Sequence, residues 1–240
     1  MSDDFDARVA ALAALGEPLR RALYRYVAAQ PGPVGRDQAA EGVGVPRHVA
    51  KFHLDRLAAD GLLEVEFRRP PGRGGPGAGR PAKLYRRASR EVRVSLPERR
   101  YDLAARLLAQ AIVAAERDCV PVAAALRQAA AGSGHALGVQ ARRAEPAAGR
   151  AALPAAASAA LQAHGYEPRA DPDGSLILTN CPFDALARDH AELVCGMNLE
   201  LIEGLLAGLG QPGLHARLDP APGRCCVTVR QRPPARKEPP

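Results

Sequence analysis

Tryptophan is absent from the 240-residue chain, and aromatic residues make up only 4% of it. Alanine supplies much of the 47% hydrophobic content, so the composition favours small, helix-rich packing units over one large sheet. No apolar run reaches the roughly 20 residues that a membrane-spanning helix needs. The polar and acidic start of the chain is unlike the basic and then apolar start of a signal peptide. We therefore expect a cytoplasmic protein with no membrane partner.

Cysteine is also scarce, and its odd number argues against a disulfide framework. Four of the five cysteines follow residue 180, and in a reducing compartment such clustering favours metal or redox chemistry. No Cys-x-x-Cys pair is present, so a structural zinc site of the common knuckle kind is not expected. The five are Cys119, Cys181, Cys195, Cys225 and Cys226.

The motifs of common enzyme classes are missing as well. The chain has no His-Glu-x-x-His motif, no phosphate-binding glycine loop followed by Lys-Ser or Lys-Thr, and no Cys–His–acid arrangement. We therefore predict that the protein is not an enzyme. The alternative from that class is a redox domain that uses Cys181 as a reactive thiol, with the N-terminal part as a protein-interaction module.

The chain does have a helix, a strand, a long basic loop and a second strand between residues 45 and 87. Segment 62–67 alternates like a half-buried strand, and segment 83–87 is predicted to be the returning strand. The intervening segment 68–81 is too rich in glycine and proline for helix or sheet. Segment 45–57 has helical periodicity, and the residues spaced to bury one face are Val49, Phe52 or His53, Leu54 and Leu57. This order predicts a winged helix.

Eight basic residues and no acidic residue lie between Arg68 and Arg90. Such a block repels itself unless it meets an anionic surface, and the phosphate backbone of DNA is the commonest such surface. The net charge of +7 agrees with a nucleic-acid partner. We predict that Arg47, His48 and Lys51 contact base edges in the major groove. The residues predicted to hold phosphates or enter the minor groove are Arg68, Arg69, Arg73, Arg80 and Lys83.

Several motifs resemble a known family. Segment 13–21 (Ala-Ala-Leu-Gly-Glu-Pro-Leu-Arg-Arg), segment 53–57 (His-Leu-Asp-Arg-Leu) and Gly61-Leu62-Leu63 resemble ArsR-type winged helix-turn-helix regulators. The combination of Gly79-Arg80-Pro81, Tyr85, Leu96-Pro97 and Tyr101-Asp102-Leu103-Ala104 is similar to the SufR-like branch and its actinobacterial relatives. SufR-like proteins repress genes of iron–sulfur assembly. The resemblance covers most of the chain and is more specific in the DNA-binding half.

The resemblance implies a transcriptional repressor that binds a double-stranded DNA operator. It also implies an iron–sulfur cluster, of the 4Fe-4S type, bound by cysteines of the C-terminal domain. Carried over to this sequence, Cys181 and Cys195 match the first two ligands, and Cys225 or Cys226 matches the last. In a strand, Cys225 shares a face with the apolar Val227, so we favour Cys225 as the metal ligand. A regulator without a cluster, which responds to a small organic effector or to thiol oxidation, is the alternative.

The predicted fold class is mostly α with an α+β part. Residues 1–95 are predicted to form the winged helix-turn-helix DNA-binding domain, 96–150 a helical linker and dimerisation region, 151–230 a small α+β sensor domain, and 231–240 a disordered tail. In a dimeric DNA-binding protein, helices that follow the wing commonly pair the subunits, which would make this chain a homodimer. Packing within the chain alone is the other possibility for these helices.

Local predictions follow for the helices of the C-terminal part. We expect helices over 99–118, 120–130 and 134–144, the last two separated by a break at Gly132-Ser133-Gly134. A helix over 183–194 would place Cys181 at its entry, where the dipole favours a thiolate, and Cys195 at its far end. We expect Cys119 to be a small buried hydrophobic residue.

Overall fold

The computed structural model describes residues 2–69, 81–144, 153–210 and 213–231. They form a mostly helical protein with two small antiparallel sheets, as the composition predicted. The chain divides into two compact units, residues 1–94 and 95–240. The described helices are α1 (Ser2–Ala14), α2 (Pro18–Ala29), α3 (Arg36–Val43), α4 (Arg47–Ala59), α5 (Tyr101–Asp118), α6 (Val122–Ala144), α7 (Leu153–Ala163), α8 (Asp184–Asp189) and α9 (Ala191–Gly208). The described strands are β1 (Val34–Gly35), β2 (Leu63–Arg68), β3 (Ala82–Arg87), β4 (Pro168–Ala170), β5 (Leu176–Leu178), β6 (Leu214–Leu218) and β7 (Val227–Gln231).

The first unit contains α1 to α4 and a three-stranded sheet in the order β1-β3-β2. Its core includes Leu23 of α2, Leu54 and Leu57 of α4, and Tyr85 of β3, all of them buried. Glu17 caps α2, because its carboxylate accepts a hydrogen bond from the Leu19 amide at 3.0 Å, and a second one from the amide that follows. Helix α2 contacts β3 of the small sheet, and α4 contacts β2.

A hairpin follows α4. Gly61 ends the helical turn in the left-handed conformation, with φ of +73°, and β2 then pairs with β3 in antiparallel register. Arg68 lies opposite Ala82 at the far end of the pair. The hairpin tip, with the predicted phosphate contacts Arg73 and Arg80, lies outside the described residues. Strand β1 pairs with β3 in antiparallel orientation. The sequence did not predict β1, because two residues are too few to show an alternating pattern.

Helix α6 of the second unit is continuous, so the break predicted at Gly132-Ser133-Gly134 is wrong. It packs along α9 at very short range. A Cβ atom at Gly134 would lie 2.0 Å from the carbonyl oxygen of Leu201, and one at Gly204 of α9 would lie 2.2 Å from that of Ala131. Glycine at 134 is therefore used for close backbone approach rather than for a turn.

The rest of the second unit is an antiparallel sheet in the order β4-β5-β7-β6 with α7 and α9 against it. Leu161 of α7, Leu178 of β5, Ile202 of α9 and Val227 of β7 are fully buried in this core. No helix among the described residues is long and apolar enough to cross a membrane.

Candidate nucleic-acid interface and thiol cluster

Helix α4 presents a basic outward face. Arg47, His48 and Lys51, predicted to contact base edges, are all exposed. The sequence left open whether Phe52 or His53 points inward, and the structure turns Phe52 outward, where 65% of it is exposed. The inward face of α4 consists of Ala50, Leu54 and Leu57. The helix therefore offers its first two turns to a ligand.

Arg47 has one carboxylate neighbour in this region. Its guanidinium pairs with Asp37 of α3, and both side chains are more than half exposed. Exposed pairs of this kind contribute little to stability because water screens both charges. A hydrogen-bond acceptor of a ligand can therefore replace Asp37 as the partner of Arg47 at small cost.

Asp55 connects α4 to the hairpin. The Tyr85 hydroxyl donates a hydrogen bond to Asp55 Oδ1 at 2.7 Å, and the Lys83 ammonium group pairs with the same carboxylate. Burial raises the pKa of Asp55, but the hydrogen bonds from Lys83 and Tyr85 outweigh it and the pKa is lowered. Lys83, predicted to hold a phosphate, is thus already paired with a carboxylate of its own unit.

The strands of the hairpin also balance part of their charge internally. Arg68 pairs with Glu66 at 2.7 Å, and Arg86 pairs with Glu64 at 2.6 Å. Glu64 and Glu66 precede residue 68, so the segment 68–90 by itself suggested a hairpin without carboxylates. Arg69, which follows β2, is exposed and extends the basic surface toward the hairpin tip.

The second unit brings together four cysteines from three segments. Cys181 lies before α8, Cys195 lies in α9, and Cys225 and Cys226 lie just before β7. The thiols of Cys181 and Cys225, of Cys225 and Cys226, and of Cys195 and Cys226 lie close enough to shift the pKa values of Cys181, Cys195 and Cys225. We call these four residues the thiol cluster. Cys119 is exposed at the end of α5 with φ of +53°, so its predicted burial is wrong.

The pKa values of Cys181, Cys195 and Cys225 are raised above that of a free cysteine. The neighbouring Cys225 thiol and burial raise the pKa of Cys181. The pKa of Cys225 rises to about 11, because the neighbouring Cys181 thiol, which lowers it, is outweighed by Cys226 and burial. Burial raises the pKa of Cys195. The thiolate expected at Cys181 is therefore wrong for this arrangement, because Cys225 and burial outweigh the backbone N–H of Phe183, which lowers the pKa.

Two other local predictions about the cysteines change. Cys195 lies inside α9 rather than at the end of a helix, because α9 starts at Ala191. Cys225 and Cys226 precede β7, so strand alternation does not apply to them and both thiols reach the cluster. The selection of Cys225 over Cys226 as a ligand stays a prediction.

The side chains of the thiol cluster are of the type that binds an iron–sulfur cluster. Soft thiols are the ligand type that iron–sulfur clusters use, and here four of them come from three segments. In their protonated form they are not arranged as a cage: among the described residues, no group of three or more His, Cys, Asp or Glu side chains is placed to hold a metal ion. Binding would need the thiols to lose their protons. The ligand assignment of Cys181, Cys195 and Cys225 therefore stays a prediction.

A buried polar chain supports the thiol cluster. Asn198 of α9 donates a hydrogen bond from Nδ2 to the Cys225 sulfur at 3.2 Å, and the Tyr166 hydroxyl donates to Asn198 Oδ1. Both Tyr166 and Asn198 are almost fully buried. Sequence reasoning missed them, although a single asparagine among apolar residues of a helix is a signal for such a role.

A second network holds the segment that carries Cys181. The buried Asn180 donates from Nδ2 to the carbonyl oxygens of Gly165 at 2.6 Å and Glu98 at 3.0 Å. Arg99 donates to Asn180 Oδ1 and to the Cys181 carbonyl oxygen, the latter at 3.0 Å. The Cys181 segment is thereby fixed to the residues that immediately precede α5.

Residues 15–66 match the family model described as helix-turn-helix domain. The match spans α2, α3, α4 and the first residues of β2, which are the elements that carry the basic face. No curated protein and no solved structure matches the chain. Together with the hairpin that follows α4, the match indicates a DNA-binding transcriptional regulator of the winged helix-turn-helix type.

Proposed function

We propose that the protein is a repressor whose affinity for operator DNA depends on an iron–sulfur cluster bound by Cys181, Cys195 and Cys225. The observation that carries the proposal is the meeting of four thiols from three distant segments in one place. The SufR-like motifs in the sequence point to the same chemistry. When bound, an iron–sulfur cluster supplies a redox-active centre to the unit that holds it.

On the DNA side, α4 lies in the major groove and the hairpin follows the backbone. Arg47, His48 and Lys51 contact base edges, while Arg68 and Arg69 hold phosphates with Arg73 and Arg80 of the hairpin tip. The exposure of the first three and of Arg69 supports this assignment. Phosphate contacts fix the position of the protein on the duplex, and the helix supplies the discrimination between sequences.

The protein binds its operator as a homodimer. Helix α5 buries Leu107 and Ala111 within its own unit but exposes Ile112 and Val113, which are 49% and 64% exposed. Two neighbouring aliphatic side chains on a long helix are suitable for a matching helix of a second copy. A two-fold dimer presents two α4 helices to half-sites one helical turn apart.

The chain itself offers a route from the thiols to the DNA-binding unit. Arg99 holds the Cys181 carbonyl oxygen, and the boundary between the two compact units lies only a few residues earlier. A cluster held by Cys181 would bind to the segment whose carbonyl oxygen accepts from Arg99, two residues before α5. A coupling of about 1–3 kcal/mol between the two states is enough for a 5- to 150-fold change in operator affinity.

The test is iron and sulfide analysis of protein purified without oxygen, combined with operator affinity of the loaded and iron-free forms. We expect a brown protein that absorbs visible light. The variants Cys181→Ser, Cys195→Ser and Cys225→Ser should lose iron and sulfide, whereas the control Cys119→Ser should keep both. A colourless anaerobic preparation that remains iron-free after reconstitution contradicts the cluster.

Thiol oxidation is a second candidate, because Cys181 and Cys225 lie close enough for each thiol to shift the pKa of the other. A hydroperoxide would accept two electrons and two protons from this pair, forming one disulfide and releasing water and an alcohol. Peptide mapping under non-reducing conditions after peroxide treatment detects the bond. A Cys181–Cys225 disulfide in iron-free protein, with a change in operator affinity, favours this candidate over the iron–sulfur cluster.

A further inference from the structure

The exposed side chain of Phe52 is not part of the hydrophobic core of its unit. The other large apolar residues of α4, Leu54 and Leu57, are fully buried, whereas 65% of Phe52 is exposed. The described contact of its ring is edge-on to His53, with centroids 5.2 Å apart, and this leaves the phenyl face open. Burying a phenyl side chain stabilises a protein considerably, so its exposure here forgoes that gain.

Phe52 lies on the same face of α4 as the residues that are proposed to contact bases. Residues four apart lie on the same side of a helix, so Phe52 lies one turn after His48 on the same face of α4. Lys51 is its exposed neighbour, and Arg47 lies at the start of the same surface. The phenyl ring is therefore the apolar part of an otherwise basic face.

The positive charge around Phe52 indicates which kind of molecule binds this surface. A basic surface attracts the DNA backbone and disfavours an apolar protein partner that carries no acidic groups. Within the major groove, the apolar group available to a side chain is the 5-methyl group of thymine. An exposed phenyl ring surrounded by cationic and imidazole groups is complementary to a thymine inside a polyanionic groove.

We propose that Phe52 contacts a thymine methyl group in the operator and makes the protein prefer thymine at that position. The proposal rests on the proposed function only in that α4 enters the major groove of DNA. It is independent of the iron–sulfur cluster. It also separates the role of Phe52, an apolar contact to a methyl group, from that of Arg47 and Lys51, which are proposed to contact the polar edges of bases.

The experiment uses a duplex recovered by the wild-type chain from a random DNA library, with iron-free and reconstituted protein in parallel. Each thymine of the recovered duplex is replaced in turn by deoxyuridine, which removes only the methyl group. We expect one thymine per half-site whose replacement weakens wild-type binding about four-fold, the effect of exposing one methylene-sized group. Phe52→Ala should bind the thymine and deoxyuridine duplexes equally, and Phe52→Leu should keep part of the difference.

Phe67→Ala is the matched control. Phe67 is a phenylalanine of almost equal exposure, 63%, but it lies on β2 rather than on α4. Its removal should leave the preference for thymine unchanged. Because both side chains are exposed, both variants should melt at the wild-type temperature.

The outcomes separate the two proposals. If the wild-type chain recovers no duplex, the proposed function fails. If it recovers one, but the wild type does not distinguish thymine from deoxyuridine, the role of Phe52 is wrong while DNA binding stands. The role of Phe52 is equally wrong if Phe52→Ala discriminates as well as the wild type, or if Phe67→Ala abolishes the discrimination.

Discussion

The Tyr85 hydroxyl donates a hydrogen bond of 2.7 Å to Asp55 Oδ1, which joins the second strand of the hairpin to the middle of α4. The Lys83 ammonium group pairs with the same carboxylate. The Asp55 carboxylate of α4 thus binds two side chains of β3, Lys83 and Tyr85. The angle between α4 and the hairpin therefore depends on Asp55.

Replacing Tyr85 by phenylalanine tests this junction. The ring remains in its buried site, but Asp55 loses a donor, and we expect the free energy of unfolding to fall by about 1.5–3 kcal/mol, as for hydrogen bonds to charged groups. Urea denaturation followed by circular dichroism gives the value. In an Asp55→Ala background the same replacement should cost much less, and equal costs in both backgrounds would show that the pair does not interact.

Asp55 also predicts a pH dependence. Its folded pKa lies below the ordinary value of 3.8, since the hydrogen bonds from Lys83 and Tyr85 outweigh burial. The carboxylate therefore contributes stability that is present above pH 3.8 and is lost as the pH falls through the lowered folded pKa. Denaturation midpoints of the wild type and Asp55→Asn, measured from neutral pH downward, should converge on acidification. A constant difference between the two would contradict the lowered pKa.

Two glycines of α6 predict opposite effects of the same substitution. Gly134→Ala places a Cβ atom against the backbone of α9, 2.0 Å from the Leu201 carbonyl oxygen, and should destabilise by about 1–3 kcal/mol. Gly132→Ala meets nothing within 4 Å and should stabilise by about 0.8–1 kcal/mol through helix propensity. Thermal melting of the two variants gives the comparison. A stabilised Gly134→Ala would mean that the two helices are farther apart.

Arg69 predicts the salt dependence of DNA binding. If it holds a phosphate, Arg69→Ala should weaken binding to every duplex and lower the slope of log K against log salt by about 0.9. Fluorescence anisotropy across a salt series measures this slope. Arg117→Ala is a control from the second unit, where Arg117 pairs with Asp118 at 2.7 Å, and it should leave the slope unchanged. A change in preference at one base pair only would make Arg69 a base contact.

Asn180 predicts how firmly the Cys181 segment is held. Asn180→Ala leaves the Gly165 and Glu98 carbonyl oxygens without its amide donor, which should cost about 1–3 kcal/mol of stability. Alkylation of Cys181 by iodoacetamide under native conditions should become faster, as detected by mass spectrometry. The reaction of Cys119, already exposed, should not change. Unchanged alkylation at Cys181 would show that other contacts hold the segment.

The sequence was sufficient for the winged helix because its signals are local. The alternating residue types of segment 62–67 predicted the position of β2 to within one residue, although the burial of β2 does not alternate. Gly61 marks the turn, and the basic glycine-rich segment separates the two strands in sequence. The same local rules failed for α6. There, glycine at 134 was assigned to a break because its partner, α9, lies more than sixty residues away in sequence and no local pattern reports that contact.

Local sequence signals account for the helical composition, the paired strands of the hairpin and the basic face of α4, because periodicity and turn residues act over a few positions. Three features could be known only from the folded chain: Phe52 points outward, Asp55 holds Lys83 and Tyr85, and Cys226 joins Cys195. These features depend on the packing of segments far apart in the chain, which sets the direction of each side chain.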